Sequence, residues 1–229
     1  MPRPLRIIVP DVPYHITQKG NREQNVFFTH EDRKRYLEWL SSYSELYEFD
    51  IIAYCLMSNH VHMVGIPRKS NSIARTIQIL HTRHTQTINR EKGWKGHLWH
   101  SRYFSTPLDD KHLWAAIRYV EQNPLRAGII ARAEDYLWSS ARAHCGLAVD
   151  NVISKNVKLE TIFDDWVKQL KELPDKEVID RIRDCTYRGT PCGDSRFRSR
   201  ISRKFGQRIN SDKRGRPFGS TKNKGNKGV

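Results

Sequence analysis

Apolar positions follow two rhythms along this chain. Between residues 30 and 48, Tyr36, Leu37, Trp39, Leu40, Tyr43, Leu46 and Tyr47 recur at helical spacing, behind a Thr29 cap with an acid three residues on. A second helix starts at Ser72, with Ile73, Ile77, Leu80, His84 and Ile88 along one face and Arg75, Gln78, Arg83 and Arg90 elsewhere. A third is capped by Asp109 or Asp110 and buries Leu113, Ala116, Ile117 and Val120; Pro124 restricts the residue before it, so this helix ends near Gln122 or Asn123. Shorter β-prone runs lie between them: residues 13–20, stopped by Gly20-Asn21-Arg22, then 51–57 and 60–66, separated by Ser58-Asn59 and ended by Pro67. A short helix over 138–142 and a helical pair within 150–180 (Ile162, Trp166, Leu170; Val178, Ile182) complete the pattern, the pair without an assigned place. Strands alternating with helices over 13–123 predict a small antiparallel sheet with helices on one face.

One strand carries chemistry. In Cys55-Leu56-Met57-Ser58-Asn59-His60-Val61-His62-Met63-Val64, the i, i+2 spacing aims His60 and His62 to one face, with Val61 and Met63 on the other. Two imidazoles so aligned suit one divalent ion, although His-x-His alone is weak evidence against a packed or exposed strand pair. In Ala116-Ile117-Arg118-Tyr119-Val120-Glu121-Gln122-Asn123-Pro124, Tyr119 and Asn123 are i, i+4 neighbours, offering a hydroxyl nucleophile and an amide oxygen on one helix face. On residues alone, Tyr119 reads equally as a core aromatic. Tyr103 and Tyr136 are rivals, but neither has an amide four positions later on a helix. His15, His84, His97 and His100 read as packing, surface or DNA-contact residues.

Charge changes the picture. Of the net +15, residues 181–229 carry +12 (15 Lys/Arg, 3 Asp) and the preceding 180 only +3. A nearly balanced body with a strongly basic tail is the footprint of a polyanion binder; a merely solubilising tail does not need one sign at such density. Lys213-Arg214-Gly215-Arg216-Pro217 is a short basic arm suited to a minor groove, and most of 211–229 has the composition of a disordered segment. The stretch from Gly93 to Phe104 mixes Trp94, Trp99, Tyr103 and Phe104 with Lys95 and Arg102, too polar for a core strand. It suits base stacking and phosphate contact on single-stranded nucleic acid, or a plain edge strand. No run of about 18 apolar residues predicts a membrane span, the N-terminus lacks a signal-peptide pattern, and Cys55, Cys145, Cys185 and Cys192 form no CxxC or zinc-like spacing. The expectation is a reduced, cytoplasmic protein without membrane partners. Walker-type and Rossmann-type glycine loops and a GxSxG context are absent.

Together these segments resemble the REP-associated tyrosine transposases, relatives of the small HUH single-strand transposases of insertion sequences. The residues that carry the resemblance are YHITQKGNREQNVFF (14–28), CLMSNHVHMV (55–64), GHLWHSRYFSTPLD (96–109), IRYVEQNPLRAGI (117–129) and YLWSSARAHCG (136–146), with a looser match in PCGDSRF (191–197) and KRGRP (213–217). The resemblance implies an α+β, ferredoxin-like antiparallel sheet with helices packed on it, followed by a small helical segment and a basic tail. The corresponding divisions are 1–147 (catalytic), 148–190 (helical extension) and 191–229 (DNA-binding tail). It implies His60 and His62 as metal ligands for Mg²⁺ or Mn²⁺, Tyr119 as nucleophile, and Asn123 as the amide-type third ligand. Small relatives use Gln there, and Gln122 stands one position earlier. Arg3, Arg6 and the first strand fall where relatives read a tetranucleotide beside a DNA hairpin. Lys19, Arg22, Arg83, Trp99, Arg102, Arg214 and Arg216 complete the expected DNA contacts.

The implied activity is metal-dependent cleavage and rejoining of single-stranded DNA at hairpin, REP-like palindromes through a 5′-phosphotyrosine. The competing reading is a domesticated, non-catalytic binder of structured DNA, a regulator or architectural protein. RNA binding through the tail is a third. One tyrosine per chain suits a monomer or a dimer that pools two sites, and the long tail favours the monomer.

Overall fold

The computed structural model describes residues 8–157, 165–172 and 175–204. Arg3, Arg6, Ile162, Arg214, Arg216 and the basic arm lie outside the described residues.

Four strands form one antiparallel sheet: β1 (Tyr14–Lys19), β2 (Phe49–Leu56), β3 (His60–Pro67) and β4 (Phe104–Pro107), in the order β2-β3-β1-β4. Helix α1 (His30–Leu46) joins β1 to β2, and α2 (Ser72–Lys92) joins β3 to β4. This β-α-β-β-α-β path with β3 inserted between β1 and β2 is the ferredoxin-like arrangement. Helix α1 starts as its sequence dictates. The Thr29 hydroxyl accepts from the Asp32 backbone N–H, and the Asp32 carboxylate accepts from the backbone of Thr29 and Phe28.

Strand alternation sorts two cores. Tyr14, Ile16, Val61 and Met63 point to one face, where α1 and α2 lay Tyr36, Leu40, Ile73, Ile77 and Leu80 over them. On the other face Ala53, Cys55 and Val64 meet Ala116, Ile117 and Val120 of α3 (Asp110–Glu121). A β-bulge between Ile51 and Ala53 shifts the alternation of β2, so Ile51 and Tyr54 serve the first core and Ala53 and Cys55 the second. The sheet is therefore covered on both faces, and the expectation of helices on one face is corrected. Helices α1 and α2 do share a face; α3 crosses to the opposite one because β2 is apolar on both sides and β3 adds Val64 beside its histidines.

Two helices beyond residue 147 extend this second layer. Helices α4 (Asn123–Arg126) and α5 (Ala141–His144) follow α3, and α6 (Trp166–Lys171) and α7 (Lys176–Arg188) pack onto it. Trp166, Leu170, Ile179 and Ile182 are their buried contributions. Beyond α7, Cys192 bridges Leu108 in parallel, its backbone hydrogen-bonded to Pro107 and Asp109. Helix α8 (Ser195–Lys204) then buries Phe197 and Ile201 in the first core. Residues 191–204, the start of the expected DNA-binding tail (191–229), are thus packed on the fold.

Gly20, where β1 ends, is required for space. A Cβ there would lie 2.1 Å from the Gln24 carbonyl oxygen. Its N–H donates to the Asn59 carbonyl (2.7 Å), which ties the turn after β1 to the turn before His60.

Candidate active site

The α3 face of the sheet gathers the chemistry. On β3, His60, His62 and Val64 share this face; across the pairing to β1, Lys19 stands opposite His60, Thr17 opposite His62 and His15 opposite Val64. Helix α3 brings Tyr119, 4% exposed, edge-on to His62 (ring centroids 5.5 Å) and to His15 (5.7 Å). His60 and His62 lie 5.1 Å apart, centroid to centroid. The sheet and α3 thus bring His15, His62 and Tyr119 together, with His60 beside His62.

Both ligand candidates offer the same nitrogen. The Asn59 amide nitrogen donates to the Glu23 carbonyl (3.2 Å), which turns its Oδ1 to His60 Nδ1 at 2.6 Å. An amide oxygen only accepts, so His60 Nδ1 carries the proton and Nε2 keeps its lone pair. His62 uses Nδ1 toward His15 Nε2 at 3.0 Å. Burial disfavours the charged ring and holds His60 down to about 4, helped by Lys19, and His62 well below the usual histidine value, helped by His15 and His60. Two neutral imidazoles whose Nε2 has no hydrogen-bond partner among the described residues are a donor set that fits a divalent cation. Among the described residues, no cluster of three His, Cys, Asp or Glu groups forms a closed metal cage. Two imidazoles would leave the remaining positions to oxygen ligands.

Asn123 faces other partners. Its amide nitrogen donates to the carbonyls of Tyr119 (3.1 Å) and Val120 (3.2 Å), and its oxygen accepts from Arg126 (2.7 Å). Gln122 is buried against the C-terminal end of α6, donating to the Leu170 (2.8 Å) and Glu172 (2.9 Å) carbonyls. The amide next to the tyrosine helix is thus Asn123, with its oxygen already engaged by a cation.

Two arginines absent from the expected site surround Tyr119. The Arg183 Nε–H, from α7, donates to the Tyr119 hydroxyl at 3.1 Å, and the Arg126 guanidinium lies 4.2 Å from the ring centroid. Arg126 is half-buried, and that desolvation lowers its basicity; its Nη1 is buried without an acceptor in good geometry among the described residues. His15 was the third omission, 1% exposed and inside the cluster. Its signal was the alternation of β1, which sends His15, Thr17 and Lys19 to one face, but only the β1–β3 register reveals that this is the histidine face. Arg183 had no such signal, because nothing local in α7 specifies its neighbour.

The expected DNA contacts separate. Lys19 lies at the rim opposite His60, paired with Glu23 (2.9 Å), and Arg22 is exposed in the following turn. Arg102 is exposed beside Ser101, whose carbonyl accepts from Gln18 of β1 (2.9 Å). Arg83 sits on α2, on the opposite side of the sheet, stacked 4.6 Å over Trp39 and bonded to the Tyr43 hydroxyl. Trp99 is a core residue, 7% exposed, with its ring stacked 4.0 Å on His81 and set against Phe27 and Tyr36. A protein ring occupies the face that a base would need. Leu98 and Tyr103 are also buried, so the aromatic stretch is partly core despite its polar neighbours. The rival Tyr136 spends its hydroxyl on the Leu56 carbonyl (2.8 Å).

The fold and the site together define an α+β protein in which a ferredoxin-like sheet turns paired histidines toward a helix-borne tyrosine. Residues 8–123 match the family model described as "Transposase IS200 like", and the chain belongs to that family. It is a transposase by family. A Haemophilus influenzae protein named "Putative REP-associated tyrosine transposase" is 28% identical over 143 residues, 56% of this chain and 74% of the relative. A solved REP-associated tyrosine transposase, bound in that structure to a REP hairpin, shares the fold at a TM-score of 0.53 and 15% identity, covering 70% of this chain and 96% of the other. No helix among the described residues is long and apolar enough to cross a membrane.

Proposed function

We propose that this transposase cuts and rejoins single-stranded DNA beside hairpin, REP-like sites through Tyr119, with Mg²⁺ or Mn²⁺ held by His60 and His62. The observation that carries the reading is the meeting of two unspent imidazole Nε2 atoms with a tyrosine ring 5.5 Å from His62. A bound divalent ion would supply charge neutralisation at a phosphate oxygen. The other steps belong to side chains. The Tyr119 oxygen attacks phosphorus, the bond from phosphorus to the 3′ oxygen breaks, and the phenol's proton ends on the departing 3′-OH. A tyrosine-linked 5′ phosphate remains, and a later 3′-OH attack reverses the bond changes and frees Tyr119. The diester bond energy is retained throughout, so no nucleotide is consumed.

Arg183 orients the hydroxyl, and Arg126 offers a buried guanidinium nitrogen to a phosphate. Asn123 supplies an amide oxygen as a third ligand only by leaving Arg126, which would then be released to the phosphate. Lys19, Arg22 and Arg102 at the rim, Arg3 and Arg6 before β1, and Arg214 and Arg216 in the tail supply backbone contacts. The substrate is taken as single-stranded at the cut, since a tyrosine only 4% exposed needs a strand freed from pairing to reach its phosphate. The chain acts as a monomer, its one tyrosine sufficient for each transfer.

The test is incubation of end-labelled hairpin DNA with short single-stranded flanks, taken from around the gene, with protein and Mn²⁺, with and without chelator. A metal-dependent covalent band on a denaturing gel is expected. DNA that shifts on a native gel and never attaches would instead establish the non-catalytic binder.

A further inference from the structure

Three elements converge on the ring of His62, and only one of them is the strand that carries it. The Thr186 hydroxyl of α7 lies 2.6 Å from the Ile182 carbonyl oxygen and 2.9 Å from His15 Nδ1. His15 Nε2 lies in turn 3.0 Å from His62 Nδ1, the two rings stacked at 5.2 Å and 13°. We propose that Thr186 and His15 are positioning residues that lock His62 in the tautomer with hydrogen on Nδ1, leaving its Nε2 lone pair bare.

The direction of the chain of hydrogen bonds is fixed by its end. A carbonyl oxygen only accepts, so Thr186 gives its one hydrogen to Ile182 and can only accept from His15. His15 Nδ1 therefore carries hydrogen. A second hydrogen on Nε2 would make His15 a buried cation stacked on a second imidazole and set against Tyr119, with no carboxylate beside it among the described residues. His15 Nε2 is thus the acceptor, and His62 Nδ1 the donor. Were the chain reversed, with Thr186 donating to His15, hydrogen would sit on His62 Nε2 and close the ligating position. His60 reaches the same tautomer separately, through Asn59. The relay starts in α7, beyond residues 8–123 that match the family, so the C-terminal helices complete the site electronically as well as sterically.

The value of this tautomer rests on His62 being a metal ligand, whereas the tautomer itself does not, and the two are measured separately. Full-length, metal-free protein labelled with ¹⁵N in the imidazoles is read by long-range ¹H–¹⁵N correlation. Hydrogen on Nδ1 of His62 is expected; hydrogen on Nε2 in the wild type overturns the proposal without any variant. Thr186→Val, which keeps the shape, is expected to give His62 a mixture of tautomers, and Thr186→Ser to restore the single one. His15→Leu is expected to weaken Mn²⁺ binding, read by the electron paramagnetic resonance signal of unbound Mn²⁺, about 10–100-fold. Unchanged His62 spectra in folded Thr186→Val also overturn it. A wild type with Nδ1–H that binds no Mn²⁺ supports the relay and removes the metal reading alone.

Discussion

Two residues beyond Tyr119, Glu121 is fully buried and holds the end of α3 in place. One carboxylate oxygen accepts from the Ser140 hydroxyl (2.5 Å) and from His144 Nδ1 (2.6 Å), the other from Trp166 Nε1 (2.7 Å). Glu121→Ala removes the shared acceptor of three donors, of which Ser140 can turn to the Tyr54 carbonyl (3.4 Å). At about 1–3 kcal/mol for each orphaned group the ceiling is high, but the variant also relieves the burial of a charge and admits water. The net expectation is about 3–5 kcal/mol, the range for breaking a buried ionic contact. For a chain of this length that lowers Tm by roughly 10 °C, at about 2–4 °C per kcal/mol. Urea unfolding followed by tryptophan fluorescence measures it, with Glu121→Gln keeping the volume and removing the charge.

The pH dependence sharpens the test. Burial works against protonation of His144, but the charge of Glu121 and its hydrogen bond outweigh this and hold the imidazole above its ordinary value. A group raised in the folded state stabilises fully below its unfolded value, about 6.5, and loses that contribution as pH rises through the folded value. The stability gap between wild type and Glu121→Gln should therefore narrow as pH rises above about 6.5. A gap under about 1 kcal/mol, or one that widens with pH, would refute the account of this network.

Other perturbations address the site and its reach. Tyr119→Phe should eliminate the covalent DNA band while retaining hairpin binding on a native gel; a surviving band would move the nucleophile elsewhere. Deleting residues 205–229 removes seven Lys/Arg and one Asp without touching α8, and should flatten the salt dependence of DNA affinity by about 0.7 in log–log slope per lost phosphate contact; an unchanged slope dismisses the tail as a DNA arm. A cut at 191 would instead expose Leu108 and the first core, with loss of thermal stability as its sign. Gly20→Ala should destabilise by about 1–3 kcal/mol, since the Gln24 carbonyl must move; a neutral result in thermal melts would show that the turn yields freely.

Local pattern was enough for α1, α2, α3 and the strands that carry histidines, because amphipathic spacing and capping are written in adjacent residues. Thr29 with Asp32, and Pro124 after Asn123, act within a few positions of the chain. The pairing of His60 with His62 was legible for the same reason, as strand alternation is a backbone property. Contacts between distant segments were not. His15 became a site residue through the β1–β3 register, and Arg183 and Thr186 through the packing of α7 on α3, across separations that no local rhythm encodes. Trp99 shows the converse: its neighbours Lys95, His97, His100 and Arg102 are polar, yet the ring folds inward to stack on His81 of α2. Its burial is decided by what lies beneath the loop, and that surface exists only after α1, α2 and the sheet have closed.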